Sequence, residues 1–362
     1  MNKINIYGAG ISGMTAAIYL KKRNPKLDIT LYEANDRVGQ KILKTGNGKC
    51  NLSNTDLDNA SNYNNPSFME EVLKITNSKD LKAFILDDLG LVLREDDYGR
   101  LYPYSEKATS VLTAYLQKLK ELDIKVETSF RGDLDLKGIT IIATGSYAQS
   151  KYNGYNYFTN LGHKVTDLNP ALTTLKVKED LRPLKGLRFK VKASILKGNK
   201  VIFSEEGEVQ FREDALSGIV TLDLSRYYKE GCEVSFDLVP EYSKEELEML
   251  KAKFNDEDQF LNSLLSKMLA LEVKKRGNII SSLKDFKFTI LGLNGYNEAQ
   301  ITKGGLDLSE IGYDFSSKIR PNLYVIGEVL DIDARCGGFN IGFAIISGIT
   351  AGKSILKKHN SL

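Results

Sequence analysis

The chain of 362 residues contains only two histidines, His163 and His359, and three cysteines, Cys50, Cys232 and Cys336. So few histidines leave little room for acid catalysis by imidazole. His359 sits in a lysine-rich tail, and His163 follows a glycine, as a residue at a helix end does. Three thiols cannot form a disulfide framework, and none has the CxxC or Cys/His spacing of a metal site; they suit a reduced, cytoplasmic protein without a metal. Net charge is nearly absent too. Fifty Lys and Arg against 47 Asp and Glu leave +3, so bulk charge argues for neither nucleic acid nor a membrane, and any such argument must be local. The apolar N-terminal stretch, residues 4–20, is broken by three glycines and lacks a signal-type cleavage site. It reads as strand, turn and helix rather than a membrane or export segment. Repeats and low-complexity linkers are lacking as well.

What is present is an ordinary globular composition, 42% apolar and 27% charged, in a chain long enough for two domains. Ile4 to Tyr7 reads as a buried strand, Gly8 to Gly13 as a glycine turn, Met14 to Lys22 as a helix and Leu27 to Glu33 as a second strand. Such a βαβ unit is parallel and right-handed. Helical spacing recurs over 80–89 and 105–122, and Ile139 to Ala143 is a short apolar strand ending in Thr144-Gly145. The period then changes. Strands are expected at 188–193, 201–203 and 232–239, with Asn199 in a hairpin turn. Helical spacing returns from 242 to 275 behind a capping sequence at Ser243, and a last strand (323–326) and helix (343–356) follow.

The turn Gly8-Ala9-Gly10-Ile11-Ser12-Gly13 fits the dinucleotide fingerprint, in which glycines let the backbone approach a pyrophosphate at a helix N-terminus. Its setting between strand and helix, with Glu33 closing the next strand where a carboxylate takes ribose hydroxyls, lifts it above a chance match. A second strand-to-glycine-to-carboxylate junction, Val325-Ile326-Gly327-Glu328, followed by Gly337-Gly338 and a helix, suits an elongated cofactor such as FAD. No second GxGxxG marks a dedicated NAD(P)H domain, which leaves NAD(P)H as a transient reductant docking over the flavin.

Residues 37–54 (RVGQKILKTGNGKCNLSN), 303–311 (KGGLDLSEI) and 323–352 (LYVIGEVLDIDARCGGFNIGFAIISGITAG) closely resemble the BaiN-like bacterial flavoproteins. That family includes proteins named as aminoacetone oxidases, a bile-acid pathway reductase and a dihydrouridine synthase acting on large-subunit ribosomal RNA. The resemblance implies an α/β fold: a Rossmann-type FAD-binding domain built from both termini, residues 1–165 and 301–362. A β-rich subdomain (166–240) and a helical one (241–300) would be inserted between them. It further implies that Gly8, Gly10, Ile11, Ser12 and Gly13 cradle the pyrophosphate, Glu33 takes the ribose and Lys41 neutralises phosphate charge. Thr45, Gly46, Asn51, Thr144, Gly145, Gly327, Glu328, Gly338, Phe339, Asn340 and Ile341 would complete the cofactor site. The chain departs from the family at Phe211-Arg212-Glu213, where relatives carry Phe-Thr-His, and is shorter between Phe130 and Ile139.

Two substrate features stay open. Cys50 and Cys336 lie inside flavin-associated blocks, where a thiol could donate a proton to a carbon being reduced, although a cysteine is also a common buried packing residue. From Arg182 to Lys200 there are seven basic residues and no acidic one. Arg188, Lys190, Lys192 and Lys197 in that run form either a phosphate-binding surface for ribosomal RNA or the solvated face of an amphipathic hairpin. The function expected is FAD-dependent reduction of an unsaturated carbon–carbon bond such as the uracil ring in ribosomal RNA. The alternatives are oxidation of a small amine or aminoketone, and an RNA-binding protein that keeps FAD without turnover.

Overall fold

A computed structural model describes residues 2–45, 48–152 and 154–359. The chain divides into two compact units, Met1–Asn169 with Ile301–Leu362, and Pro170–Gln300.

The first unit is built on a five-stranded parallel sheet in the order Leu323–Val325, Ile139–Ile142, Lys3–Tyr7, Asp28–Tyr32, Lys125–Glu127. Its central strands are buried on both faces, with Ile4, Asn5 and Ile6 on one and Thr140, Ile141 and Ile142 on the next at most 1% exposed, as in a sheet covered on both sides. The first helix runs Ile11–Arg23. It starts inside the expected glycine turn because Gly10, not Gly13, is the last extended residue. The last helix, Phe339–His359, packs along the first. Gly348 and Gly352 permit that approach: a Cβ at Gly348 would lie 2.7 Å from the Ser12 carbonyl oxygen, and one at Gly352 would lie 2.6 Å from the Tyr19 ring. Residues 339–358 are apolar and long enough to cross a membrane, yet 72% of that window is buried inside the fold, as in a core helix. The helical stretch expected over 80–89 is a capped helix, Ser78–Ala83, running into a π-helical turn, Phe84–Asp88.

The second unit is a closed barrel of six strands in the order Arg188–Lys197, Lys200–Phe211, Leu216–Ser217, Leu175–Val177, Phe286–Leu293, Cys232–Asp237. Strand Phe286–Leu293, from the stretch expected to be helical, pairs with both Cys232–Asp237 and Leu175–Val177 and so closes the barrel. The helical run is three helices, Lys244–Lys251, Glu257–Leu264 and Lys267–Lys275, the first opened by a capping box between Ser243 and Glu246. Leu247, Phe260 and Val273 from these helices share one apolar cluster with Val191, Val234 and Phe288 of the barrel. Neither part could cover its apolar face alone.

Candidate cofactor cradle and substrate site

The cradle forms where strand Lys3–Tyr7 turns into the first helix. Gly8 has φ +108, and a Cβ there would lie 2.2 Å from the Ala143 carbonyl oxygen; one at Gly13 would lie 2.0 Å from the Gly8 oxygen. Both positions therefore exclude any side chain. Gly10 is different: a Cβ there would meet nothing within 4 Å, so the protein leaves open space beside the start of the helix. That helix has no side-chain cap and no acidic residue in its first turn, so its free N–H groups and positive end face the space unopposed. Glu33, buried at the end of the second strand, accepts from Ala9 N–H at 3.0 Å, Asn35 N–H at 2.9 Å and the Asn35 side chain at 2.6 Å. Its carboxylate is thus fixed at the turn where a ribose would lie.

The later blocks reach the same unit. Gly327 (φ +77) meets the first helix, and a Cβ there would lie 2.5 Å from Ser12 Oγ. Glu328 accepts from Lys41 Nζ at 2.5 Å, from the Ser146 hydroxyl at 2.8 Å and from Thr302 N–H at 3.3 Å. Gly338 (φ +98) lets the chain pass Ser53 and Asn51, where a Cβ would lie 2.3 Å from the Ser53 carbonyl oxygen and 2.6 Å from Asn51 Oδ1. Asn51 Oδ1, Ser53 Oγ and Thr144 Oγ1 are buried and have no hydrogen-bond partner among the described residues. Orphaned buried polar atoms are costly unless a ligand satisfies them. Thr144 borders the Gly8 turn, while Asn51 and Ser53 border Gly338 and Gly342 at the start of the last helix. Together with the uncapped first helix and the fixed Glu33 carboxylate, these orphaned atoms fit a dinucleotide such as FAD.

Other expected residues do narrower jobs. The Asn340 side chain accepts from Ala334 N–H at 2.9 Å and donates to the Ala334 carbonyl at 2.9 Å, so it pins the loop before the last helix. Asn54 donates to the Gly337 carbonyl at 3.0 Å from the other side. Phe339 is buried edge-on to Tyr63, Thr45 donates to the Ile42 carbonyl, Ile11 and Ile341 are partly buried against the core, and Gly145 has φ +70 with open space around it. Gly46 lies outside the described residues. Sequence reasoning missed Ser146, Thr302 and Ser53. Only their nearness to Thr144, Lys303 and Asn51 in the chain hinted at them.

The two thiols differ in setting. Cys50 is 0% exposed and adopts φ 57. Burial pushes its pKa up to about 11 against a weaker opposing hydrogen bond from Thr45. This thiol stays protonated and enclosed. Cys336 is partly exposed, in the loop that Asn54 and Asn340 hold.

His163 has a structural setting. Its Nδ1 lies 2.9 Å from Glu310 Oε2 and its Nε2 lies 3.1 Å from the Ser317 hydroxyl, with no exposed side-chain surface.

In the barrel, the basic run meets its own counter-charge. Lys190 stands opposite Glu208 and Lys192 opposite Glu206 in the antiparallel register, while Lys197 faces Lys200 at the hairpin tip. Arg188 pairs with Glu208 at 3.0 Å, Lys185 with Glu213 at 2.5 Å and Arg182 with Asp180 at 2.8 Å. Residues opposite one another in such a pair share a face of the sheet. The stripe that reads as uniformly positive in sequence is a mixed-charge ladder in space.

A parallel sheet with this cradle at its strand ends, drawn from both ends of the chain, is the framework of an FAD-dependent oxidoreductase, the class to which this enzyme belongs. The family model described as HI0933-like protein Rossmann domain matches residues 2–133 and 132–354, and the chain belongs to that family. It is 30% identical over 414 residues to 3-dehydro-bile acid delta(4,6)-reductase of Clostridium scindens, spanning 99% of this chain and 100% of that one. It is 24% and 25% identical to proteins named ribosomal RNA dihydrouridine synthase from Haemophilus influenzae and Escherichia coli, over 98% of each chain. Among solved structures, 3-ketosteroid delta1-dehydrogenase from Sterolibacterium denitrificans shares the fold, with a TM-score of 0.53 at 9% identity over 99% of this chain and all of that one. The family resemblance, the fold class and the enzyme class expected from sequence are borne out.

Proposed function

We propose that the protein reduces an electron-poor carbon–carbon double bond conjugated with a carbonyl in a small molecule. The observation that carries this reading is the end-to-end similarity to a reductase of unsaturated bile acids. The chemistry that FAD supplies when bound is two-electron transfer as a hydride, with NAD(P)H as the proposed source of electrons. Backbone N–H groups at the first helix would hold the pyrophosphate, and Glu33 would hold the ribose. Cys336, in its pinned loop before the last helix, is the proposed proton donor to the carbon next to the one that takes the hydride. Cys50 is assigned to packing. The arithmetic closes: one hydride and one proton add across one double bond, and one NAD(P)H is oxidised.

The test is anaerobic rapid mixing. Enzyme reduced by NAD(P)H is mixed with a 3-oxo-Δ4 steroid acid, and the return of the oxidised flavin band is followed with the mass of the product. Reoxidation coupled to a gain of two mass units supports the reading. Reduced flavin that the steroid acid fails to reoxidise, together with oxidised flavin that a small amine reduces and that releases peroxide on return to air, overturns it in favour of an oxidase.

A second reading, reduction of a uracil ring in ribosomal RNA, is favoured by the two relatives named for that activity. Arg188, Lys190, Lys192 and Lys197 would then contact phosphates. Nucleoside composition of ribosomal RNA from cells with and without the gene separates the two substrates.

A further inference from the structure

Lys41 sits in the short helical turn Gln40–Lys44, and its ammonium group lies 2.5 Å from a carboxylate oxygen 287 positions further along the chain. A cation placed to neutralise a pyrophosphate would keep its charge for the ligand. Here the charge is committed to Glu328, whose side chain is only 19% exposed. The rest of that carboxylate is also accounted for. Oε2 accepts from Lys41, and Oε1 accepts from the buried Ser146 hydroxyl and from Thr302 N–H. A carboxylate offers roughly four lone-pair sites, so three donors leave about one for a hydroxyl group of a ligand. They also fix which way that site points.

We propose that Lys41 acts on the cofactor through Glu328: it is a positioning residue that closes an ion pair between the first and last chain segments and holds Glu328 ready to accept from a ligand hydroxyl. The inference rests on the FAD reading above. It assigns to Lys41 a different job from direct phosphate neutralisation, and the two jobs have different signatures. A lysine that acts on phosphate contributes the same affinity whether or not residue 328 is charged. A lysine that acts through Glu328 contributes only while that carboxylate is there to be held, so the two substitutions are strongly coupled.

The experiment is a double-mutant cycle on FAD affinity, titrating apoprotein and following flavin fluorescence, with apoprotein Tm alongside. Lys41→Gln is expected to raise the Kd about 10-fold, which corresponds to about 1.4 kcal/mol. Lys41→Arg keeps the charge and the donor, and should restore affinity to within about 3-fold. In the Glu328→Gln background, Lys41→Gln should add less than about 2-fold. Equal factors for Lys41→Gln in both backgrounds would overturn the proposal and return Lys41 to the phosphates. So would a loss that tracks a fall in apoprotein Tm and that arginine does not rescue. If the wild-type apoprotein takes up no FAD, the cofactor reading fails and this inference fails with it. Uptake by the wild type with no effect at Lys41 overturns the inference alone.

Discussion

The glycine cradle and the basic hairpin are both local runs of one residue type, but they specify different amounts of structure. Three of the site's glycines answer a steric demand from a named neighbour: Gly8 from Ala143, Gly13 from Gly8, Gly338 from Ser53 and Asn51. A demand of that kind is met by one residue type only. The hairpin lysines answer no such demand. What they do depends on the strand opposite, and that strand brings Glu206 and Glu208 into register with Lys192 and Lys190. A run of glycines before a helix is therefore a statement about geometry, whereas a run of lysines states nothing until its partners are known.

The hardest test of the contrast is made within the cradle. Gly8→Ala forces a Cβ against the Ala143 carbonyl in a left-handed backbone, and should cost roughly 3 kcal/mol or more from strain and clash, with loss of soluble protein or a clear fall in Tm. Gly10→Ala has open space and an ordinary extended φ of −78. It should keep the apoprotein Tm within a few degrees and still lose FAD, because the added methyl group occupies the approach to the helix N-terminus. Calorimetry and flavin titration on the pair check this. Equal effects on Tm and FAD at the two positions would break the claim that the cradle separates fold from ligand.

Next in size is the thiol comparison. Cys336→Ala should retain FAD and accept electrons normally, yet slow reoxidation by substrate by roughly 10² to 10⁴, the loss expected when a positioned acid is removed. Cys50→Ala should leave that half-reaction nearly intact. Reoxidation of Cys336→Ala at the wild-type rate removes the thiol from the mechanism.

Cys50 instead makes itself felt through pH. Its folded-state pKa is raised above the ordinary thiol value of 9.0 to about 11. The stability it contributes is therefore fully present below pH 9 and is lost as pH rises toward 11, because the unfolded chain can ionise the thiol and the folded chain cannot. Two pKa units correspond to roughly 3 kcal/mol. Tyr115 and Tyr63, also raised by burial, add their loss at still higher pH. The fall in Tm between pH 8 and 11 should be visibly smaller in Cys50→Ala than in the wild type. Parallel curves would show that the thiol is not sealed in the native state.

Much of the fold was legible in the sequence. The strand–turn–helix start, the buried strand at 139–142 and the final strand and helix are all local patterns, set by apolar period and glycine. The capping box at Ser243 was legible for the same reason. Strand Phe286–Leu293 was not. It follows four helices and closes the barrel only by pairing with residues at least 50 and at least 113 positions away, so no local signal separates it from the helical stretch before it. The small antiparallel sheet of Ser53–Asn54, Leu93–Glu95 and Arg100–Pro103 is built of strands too short to show an alternation. In the site, positions that need a glycine could be named from sequence, but Ser146 and Thr302 could not. Their importance lies in a carboxylate reached from elsewhere in the chain.

The smallest expected effect concerns the ladder itself, and it decides whether the inserted barrel can serve as a nucleic-acid surface. Each phosphate that a protein neutralises contributes about 0.7 to 0.9 to the slope of log affinity against log salt. Lys190 and Lys192 already face Glu208 and Glu206, and exposed pairs of this kind hold one another weakly, by about 1 kcal/mol or less. Their lysines are not lost to RNA, but the glutamates repel phosphate over the same few ångströms. Wild-type protein should therefore bind single-stranded ribosomal RNA fragments with a shallow slope, and Glu206→Gln with Glu208→Gln should steepen it by about one to two phosphates' worth. Lys190→Glu, Lys192→Glu and Lys197→Glu together should abolish whatever slope the hairpin supplies while leaving FAD bound. If the wild type already shows a steep slope that the glutamine pair leaves unchanged and the charge reversals remove, the lysines engage phosphate in spite of their partners. The uracil-ring reading then gains a binding surface on the hairpin.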